Sequence, residues 1–585
     1  MFSILFKLKW FFKEHKKRYL IAVFLLLFIG VVEIIPPQLL GMFIDEINVG
    51  TLTAAKSAYY IIAVIGITAF TYYITYIWMY QLFGGAFLLE RRLRSNFFGH
   101  LLKMTATFYE KNRTGDLMAR ATNDLRAIST TAGFGILTLI DSTAFMLTII
   151  ATMCILVSWK LALAAVLPLP IMAVLMQVYG NKIHKRFTEA QDAFGELNDS
   201  VLQSVAGVRV VRAYVLEKEE EKQFHQLTNA VFNKNIAVAK IDSLFEPTVR
   251  ILVGLSYLIG LGYGSFLVFK QEISIGQLVT FNVYLGMIVW PMFAIGELMN
   301  IMQRGNASLD RVQETLHYQP DVANASTLKN AKIPEKIVFN NVAFRYPSSN
   351  TDNLQNINLT IEKGETIGIV GKTGSGKTTF VKQLLREYPA GRGSISINGI
   401  NIEEQPLEQI RGWIGYVPQD HVLFSKSIKE NILFGNEQAN EQELEKAISL
   451  ASFKQDLNML PNKLATLVGE KGVALSGGQK QRISIARALI RNPEILILDD
   501  SLSAVDAKTE KNIIENIKKE RKGKTTIITT HRMTAVQHAD QIIVLDDGEI
   551  IEHGTHAELM QKNGWYKKQF TTQQVEASTE MEVQA

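Results

Sequence analysis

Eight consecutive residues, Gly371, Lys372, Thr373, Gly374, Ser375, Gly376, Lys377 and Thr378, followed by Thr379, spell G-x-x-x-x-G-K-[ST] directly after the apolar run 366–370, which reads as a buried strand. Glycines at these spacings let backbone amides converge on phosphate oxygens, and the helix that follows presents its positive end. Lys377 can reach β- and γ-phosphates, and the Thr378 hydroxyl is placed for Mg²⁺. An idle glycine-rich turn is the alternative, and the strand–loop–helix setting argues against it. A second apolar run, 494–498, ends in Asp499 and Asp500. A carboxylate at such a strand end, beside a phosphate loop, holds a nucleotide's Mg²⁺ through water, and Asp499 takes that role.

The elements that position these groups lie past about residue 331, where short apolar strands alternate with amphipathic helices in an α/β pattern. The oil lies before about residue 305. Apolar stretches run 19–44, 57–83, 133–157, 161–179, 251–269 and 278–302, each near the about 20 residues a helix needs to cross a bilayer. Apolar residues make up 48% and charged ones 20% of the 585, with mean hydropathy +0.10, which excludes disorder of the whole and indicates a membrane protein with a soluble part. With 61 basic against 56 acidic residues, a net +5, bulk charge gives no footing to nucleic-acid binding. The lone Cys154 rules out an intrachain disulfide and a multi-cysteine metal cluster.

Basic residues sit before the first run (Lys7, Lys9, Lys13, Lys16, Lys17, Arg18), between the second and third, and between the fourth and fifth. That pattern places the N-terminus and both long loops, about 84–132 and 180–247, in the cytoplasm, with the spans continuing out of the bilayer as helices. The N-terminal apolar stretch 5–12 lacks the length and cleavage site of a signal peptide. Expected divisions are 1–18 cytoplasmic, 19–305 transmembrane, 306–335 linker, 336–570 α/β domain and 571–585 mobile tail. Glu33, Asp141 and Glu297 lie in or beside apolar runs, where carboxylates are costly and either face a cavity, reach headgroups at a helix end or bond to a neighbouring helix. Trp290-Pro291 should kink the last span. Tyr72, Tyr73, Tyr76, Trp78 and Tyr80 read as an interfacial belt. The basic run 518–524 reads as a solvated helix end, and His538, His553 and His556 are too scattered for a metal site.

Between the phosphate loop and Asp499 stands Leu475-Ser476-Gly477-Gly478-Gln479, the signature of ATP-binding-cassette (ABC) proteins, and the chain resembles that family nearly throughout. The resemblance implies a polytopic α-helical membrane domain of six transmembrane helices followed by an α/β P-loop ATPase cassette, the order of ABC exporters. It implies that Tyr346 stacks on adenine, that Gln419 contacts metal and water, and that His531 is the switch histidine on the γ-phosphate. Residues 503–506 resemble the segment that touches an opposing cassette, and 468–472 an exporter-specific motif that contacts the membrane domain. In this family each ATP lies between the phosphate loop of one cassette and the signature of another, so ATP and Mg²⁺ are the cofactors and a second subunit is the partner. Segments 107–117 and 206–214 should form short helices that dock on cassettes and transmit motion. The transported molecules implied are amphipathic drugs taken from the cytoplasm or inner leaflet of a bacterial cytoplasmic membrane, with Asp141 and Trp290 lining an apolar cavity suited to lipophilic cations.

One position departs from the family pattern. Where a water-activating glutamate usually follows the Mg²⁺ aspartate, this chain has Asp500. One methylene fewer withdraws the carboxylate by about 1–1.5 Å, and acid–base groups worth roughly 10²–10⁴ in rate depend on reach. The expectation is a hydrolytically impaired site here, with the signature completing a competent site on a partner that carries glutamate. The Asp499-Asp500 pair and segments 107–120 and 243–250 resemble the smaller subunit of the BmrC/BmrD family of heterodimeric multidrug exporters of Gram-positive bacteria. Alternatives are a lipid exporter, a peptide exporter without a fused cysteine peptidase, a homodimeric exporter, the regulatory subunit of an ATP-gated channel or sensor, and a non-transport ABC ATPase. The six apolar runs argue against the last.

Overall fold

The computed structural model describes residues 2–322, 324, 329, 332–469 and 475–584. The chain divides into two compact units, Met1–Leu102 with Thr114–Tyr318, and Lys103–Arg113 with Gln319–Ala585.

The first unit is helical. Among the described residues, five continuous stretches are long and apolar enough to cross a membrane: Lys16–Val49, Ala54–Leu101, Thr114–Ala206, Glu217–Phe269 and Ile275–His317. The third holds two of the six apolar runs, and its 93 residues would reach about 140 Å if straight, against about 30 Å of hydrocarbon. It reverses at Ser158, whose backbone is extended (φ −165°, ψ 125°) and whose hydroxyl caps Leu161 N. Ile149 and Met153 before the reversal share one core with Leu161, Ala162 and Ala165 after it. Helix Ala54–Leu101, at 48 residues, runs well past any bilayer.

Small residues let two of these helices touch. A Cβ on Gly41 would lie 2.0 Å from Thr280 Oγ1, and one on Gly276 would lie 2.0 Å from the Gly41 carbonyl oxygen. Asp45 then accepts from Gly276 N at 2.7 Å, and Thr280 donates to the Pro37 carbonyl at 3.0 Å. Helix Ile275–Met287 ends at Ile288 and helix Val289–His317 follows, with Pro291 lacking the amide that would continue the ladder. That last helix carries regular structure through 317, into the stretch expected as linker. Residues 3–14 form two short helices that bury Ile4, Leu8 and Phe11 against Leu89, Phe97, Leu125 and Val312. Tyr72, Tyr73, Tyr76 and Tyr80 are exposed while Trp78 is buried.

Among its described residues the second unit holds ten strands: β1 (Lys336–Phe344), β2 (Leu354–Glu362), β3 (Thr366–Gly371), β4 (Arg392–Ile397), β5 (Ile400–Asn401), β6 (Ile414–Val417), β7 (Ile495–Asp499), β8 (Thr525–Thr529), β9 (Gln541–Asp546) and β10 (Glu549–Gly554). One sheet has order β2-β1-β4-β5 and is antiparallel. The other has order β10-β9-β3-β8-β7-β6, with β9, β3, β8, β7 and β6 parallel. Register pairs Ile369 with Thr529, Asp499 with Thr529 and Val417 with Leu498, so the carboxyl ends of β3, β8, β7 and β6 open on one edge. Open α/β sheets bind ligands at that edge.

The segment Lys103–Arg113 clusters with this unit rather than with the helices on either side of it. Its helix Ala106–Lys111 rests Ala106 against the core that contains Tyr388, and Tyr388 donates its hydroxyl to Glu110 Oε1. The other candidate docking segment forms helix Val208–Ala213, with no buried residue and with Val210 and Tyr214 59% and 73% exposed. At the chain's end, where a mobile tail is expected, helix Trp565–Gln584 buries Tyr566 and Phe570.

Candidate functional site

The phosphate loop leaves β3 through backbone that only glycine adopts readily: φ is 152° at Gly371, 85° at Gly374 and 102° at Gly376. A Cβ on Gly371 would also lie 2.1 Å from the Leu545 carbonyl oxygen. Lys377 opens helix Lys377–Leu384 and is buried, with Nζ donating back to the Gly371 and Lys372 carbonyls at 2.9 and 2.7 Å. Burial lowers its pKa, opposed by the carboxylates of Asp500 and Asp499. Lys372, Thr373 and Gly374 are exposed on the loop's rim. The buried Ser375 hydroxyl has no hydrogen-bond partner among the described residues.

Asp499, at the end of β7, is buried and fully engaged. Its Oδ1 accepts from Thr378 Oγ1 at 3.1 Å and from Thr529 Oγ1 at 2.5 Å, and its Oδ2 from Tyr416 OH at 3.3 Å. Burial and the neighbouring Asp499 push the Tyr416 phenol well above its usual range, so it remains a donor. Asp500 takes the left-handed region at φ 45°, which aspartate tolerates better than most residues. Its amide is pinned to the Thr529 carbonyl and hydroxyl at 2.9 and 3.1 Å. Its carboxylate meets Gln419 Nε2 at 3.5 Å. Burial raises the Asp500 carboxyl, with His531 and Lys377 pulling it back, and burial together with Lys377 lowers the His531 imidazole. Lys377, Thr378, Gln419, Asp499, Asp500 and His531, spread over 155 positions of sequence, therefore share one edge of the sheet.

Tyr346 follows β1, donates its hydroxyl to Thr379 Oγ1 at 3.2 Å and meets the Tyr388 ring edge-on at 5.0 Å. Ser476 caps helix Gly477–Leu489 in a reciprocal box with Gln479, at 3.3 and 3.0 Å. Ser476 and Gly477 face solvent, Gly478 backs onto the Ala504 carbonyl, and Gln479 reaches Asp456 at 3.3 Å. Arg532 holds the 503–506 segment through the Ser503 and Val505 carbonyls at 3.0 and 3.1 Å. Of the exporter-type stretch 468–472, Glu470, Lys471 and Gly472 lie outside the described residues.

In the helical unit, Trp290 Nε1 donates to Asp141 Oδ2 at 3.0 Å, and Glu33 lies within electrostatic reach of Asp141. Glu297 is exposed. Sequence reasoning missed Thr529, Tyr416, Arg532 and Tyr388. A threonine or tyrosine at a strand end carries no motif; only the register of β8 and β6 against β7 brings these hydroxyls to Asp499.

Residues 19–292 match the family described as "ABC transporter transmembrane region", and residues 354–503 match "ABC transporter". The chain is 62% identical over 575 residues, 98% of each protein, to the "Probable multidrug resistance ABC transporter ATP-binding/permease protein YheI" of Bacillus subtilis (strain 168). It is 40% identical over 576 residues, 98% of this chain and 99% of the relative, to the "Multidrug resistance-like ATP-binding protein MdlA" of Buchnera aphidicola subsp. Schizaphis graminum (strain Sg). Its fold is similar to that in the "Structure of a bacterial Atm1-family ABC exporter with ATP bound", with TM-score 0.79 and 24% identity over 95% of this chain and 99% of that one. With apolar membrane-crossing helices joined in one polypeptide to an ATPase cassette, the chain belongs to the ABC transporter family and has the exporter architecture.

Proposed function

We propose that this chain is one half of a heterodimeric multidrug exporter of the bacterial cytoplasmic membrane, with its cassette and N-terminus in the cytoplasm. Its own nucleotide site holds ATP and cleaves it poorly, while its signature, Ser476–Gln479, completes the productive site on a second subunit that carries a glutamate. The relatives named for multidrug resistance support the transport class. The observation that carries the asymmetry is Asp500. Two bonds from its amide to Thr529 hold its backbone, so a carboxylate one methylene short cannot advance by moving the chain.

In this reading, loop amides from Gly371 to Thr379 cradle the phosphates, Lys377 leaves its own loop carbonyls for the β- and γ-oxygens, and Tyr346 stacks on adenine. The oxygens of Thr378 and Asp499, with the Gln419 amide oxygen, are the hard donors Mg²⁺ takes, and the ion would supply charge neutralisation between the phosphates. Asp500 and Gln419 face the attacking water, and His531 faces the γ-phosphate. Exposed apolar side chains on the 208–213 helix suit a surface on the second subunit. Asp141 and Trp290 line the path of amphipathic cations.

The test is to purify the chain alone and with its partner, each as wild type and as Asp500→Glu. Expected are slow hydrolysis by the chain alone and, from the general-base contribution, a rise of roughly 10²-fold at this site on replacement. Full-rate hydrolysis and transport by the wild-type chain alone would overturn the heterodimer.

A further inference from the structure

The C-terminal helix reaches the nucleotide edge. Helix Trp565–Gln584 is anchored by Tyr566 and Phe570, which lie in the same core as Met533, Ala535 and Val536. Tyr566 is held further by His556 Nδ1 at 2.8 Å. Gln573 stands one turn beyond Phe570 on the same helix face. Its Nε2 donates to the His531 carbonyl at 2.8 Å, and its Oε1 accepts from Met533 N at 3.0 Å. One side-chain amide thus clasps both ends of the three-residue loop His531-Arg532-Met533. On the strand side, Thr530 N is tied to the Ile369 carbonyl at 3.1 Å. Backbone is therefore fixed on both sides of His531, whose ring faces Gly371, Lys377 and Asp500.

We propose that Gln573 is a positioning residue for the nucleotide site, setting the placement of the His531 imidazole toward a terminal phosphate by clasping the backbone on either side of Arg532. The proposal rests on the reading of His531 as a γ-phosphate contact. A loop that carries a recognition group at one end and a structural arginine in the middle gains precision when its free carbonyl and amide are both engaged. Arg532 passes that constraint on to Ser503 and Val505. The predicted signature is discrimination between ATP and ADP, because only ATP presents the phosphate that His531 faces.

The experiment measures ATP and ADP affinities of the full-length chain in detergent by competition with a fluorescent nucleotide, for wild type, Gln573→Met, Gln573→Glu, His531→Ala and the double variant Gln573→Met/His531→Ala. Methionine keeps the volume and removes the amide; glutamate keeps the acceptor for Met533 N and removes the donor. Losing one positioned hydrogen bond should weaken ATP by roughly fivefold to tenfold in Gln573→Met and Gln573→Glu, with ADP affinity within about twofold of wild type. The double variant should bind ATP no more weakly than His531→Ala. Equal loss for both nucleotides, loss for neither, or full additivity in the double variant overturns the proposal. A His531→Ala variant that keeps the wild-type ratio of ATP to ADP affinity overturns the histidine reading itself, and the clasp with it.

Discussion

Trp290 and Asp141, 149 positions apart in sequence, are joined by a 3.0 Å hydrogen bond from indole to carboxylate. Each stands where its helix is irregular. Asp141 opens the π-helical segment Asp141–Phe145, and Trp290 follows the break at Ile288. Wider turns of this kind cluster at functional sites, because they free or re-aim a side chain that a regular helix would point elsewhere.

Asp141→Asn keeps the bond to the indole and removes the charge. Stimulation of the assembled exporter's ATPase by a lipophilic cation should then need roughly tenfold more cation, the cost of losing one charged contact. Stimulation by a neutral amphiphile should not change. An unaltered response to the cation would take this acid out of the transport path.

Within the second unit, Tyr388 ties helix Ala106–Lys111 to the cassette through Glu110. Burial and Glu110 push its phenol well above the usual range, which keeps the proton on oxygen for donation to that carboxylate. Tyr388→Phe keeps the edge-on contact with Tyr346 and deletes one charge-assisted bond, worth about 2 kcal/mol. Basal ATPase should stay within about twofold while drug stimulation is largely lost, and adding Glu110→Ala should cost little more. Intact stimulation in Tyr388→Phe would show that coupling runs elsewhere.

The His531 imidazole is held below the ordinary imidazole value of about 6.5 chiefly by burial. The unfolded chain therefore takes up this proton first as pH falls, and the folded state loses stability below about 6.5. His421 and His538 are lowered for the same reason and add to the slope. Thermal unfolding of His531→Asn between pH 7.5 and about 5 should show a shallower acid-side loss than wild type. An identical slope would mean that the imidazole titrates as freely as in an unfolded chain.

On the signature helix, Arg482 pairs with Asp456 at 2.8 Å, with side chains only 13% and 12% exposed. Asp456→Ala strands the guanidinium in a mostly buried place and removes a partner of Gln479, at a cost of about 3 kcal/mol. Asp456→Leu with Arg482→Met should be markedly milder, since no charge is left unpaired. Denaturant unfolding of the cassette transition distinguishes the two, and equal losses would mean that the pair carries no buried charge.

The phosphate loop, the signature and the apolar runs were legible in the sequence because each is local. Backbone shape within nine residues is set by where glycine stands, and a span is set by about 20 apolar residues in a row. Tertiary structure decided the rest. The break between the apolar runs 133–157 and 161–179 could be read from sequence, but not that it is a single extended residue, Ser158, whose hydroxyl caps Leu161 N in an otherwise continuous helical stretch. Thr529 reaches Asp499 only through the register of β8 on β7, and a slip of one residue would turn it to the other face. Gln573, in a stretch whose polar composition suggests mobility, is ordered because Phe570 and Tyr566, one and two turns earlier, are buried. Contacts between residues far apart in the chain depend on how whole elements pack, and packing is a property of surfaces that a linear pattern does not specify.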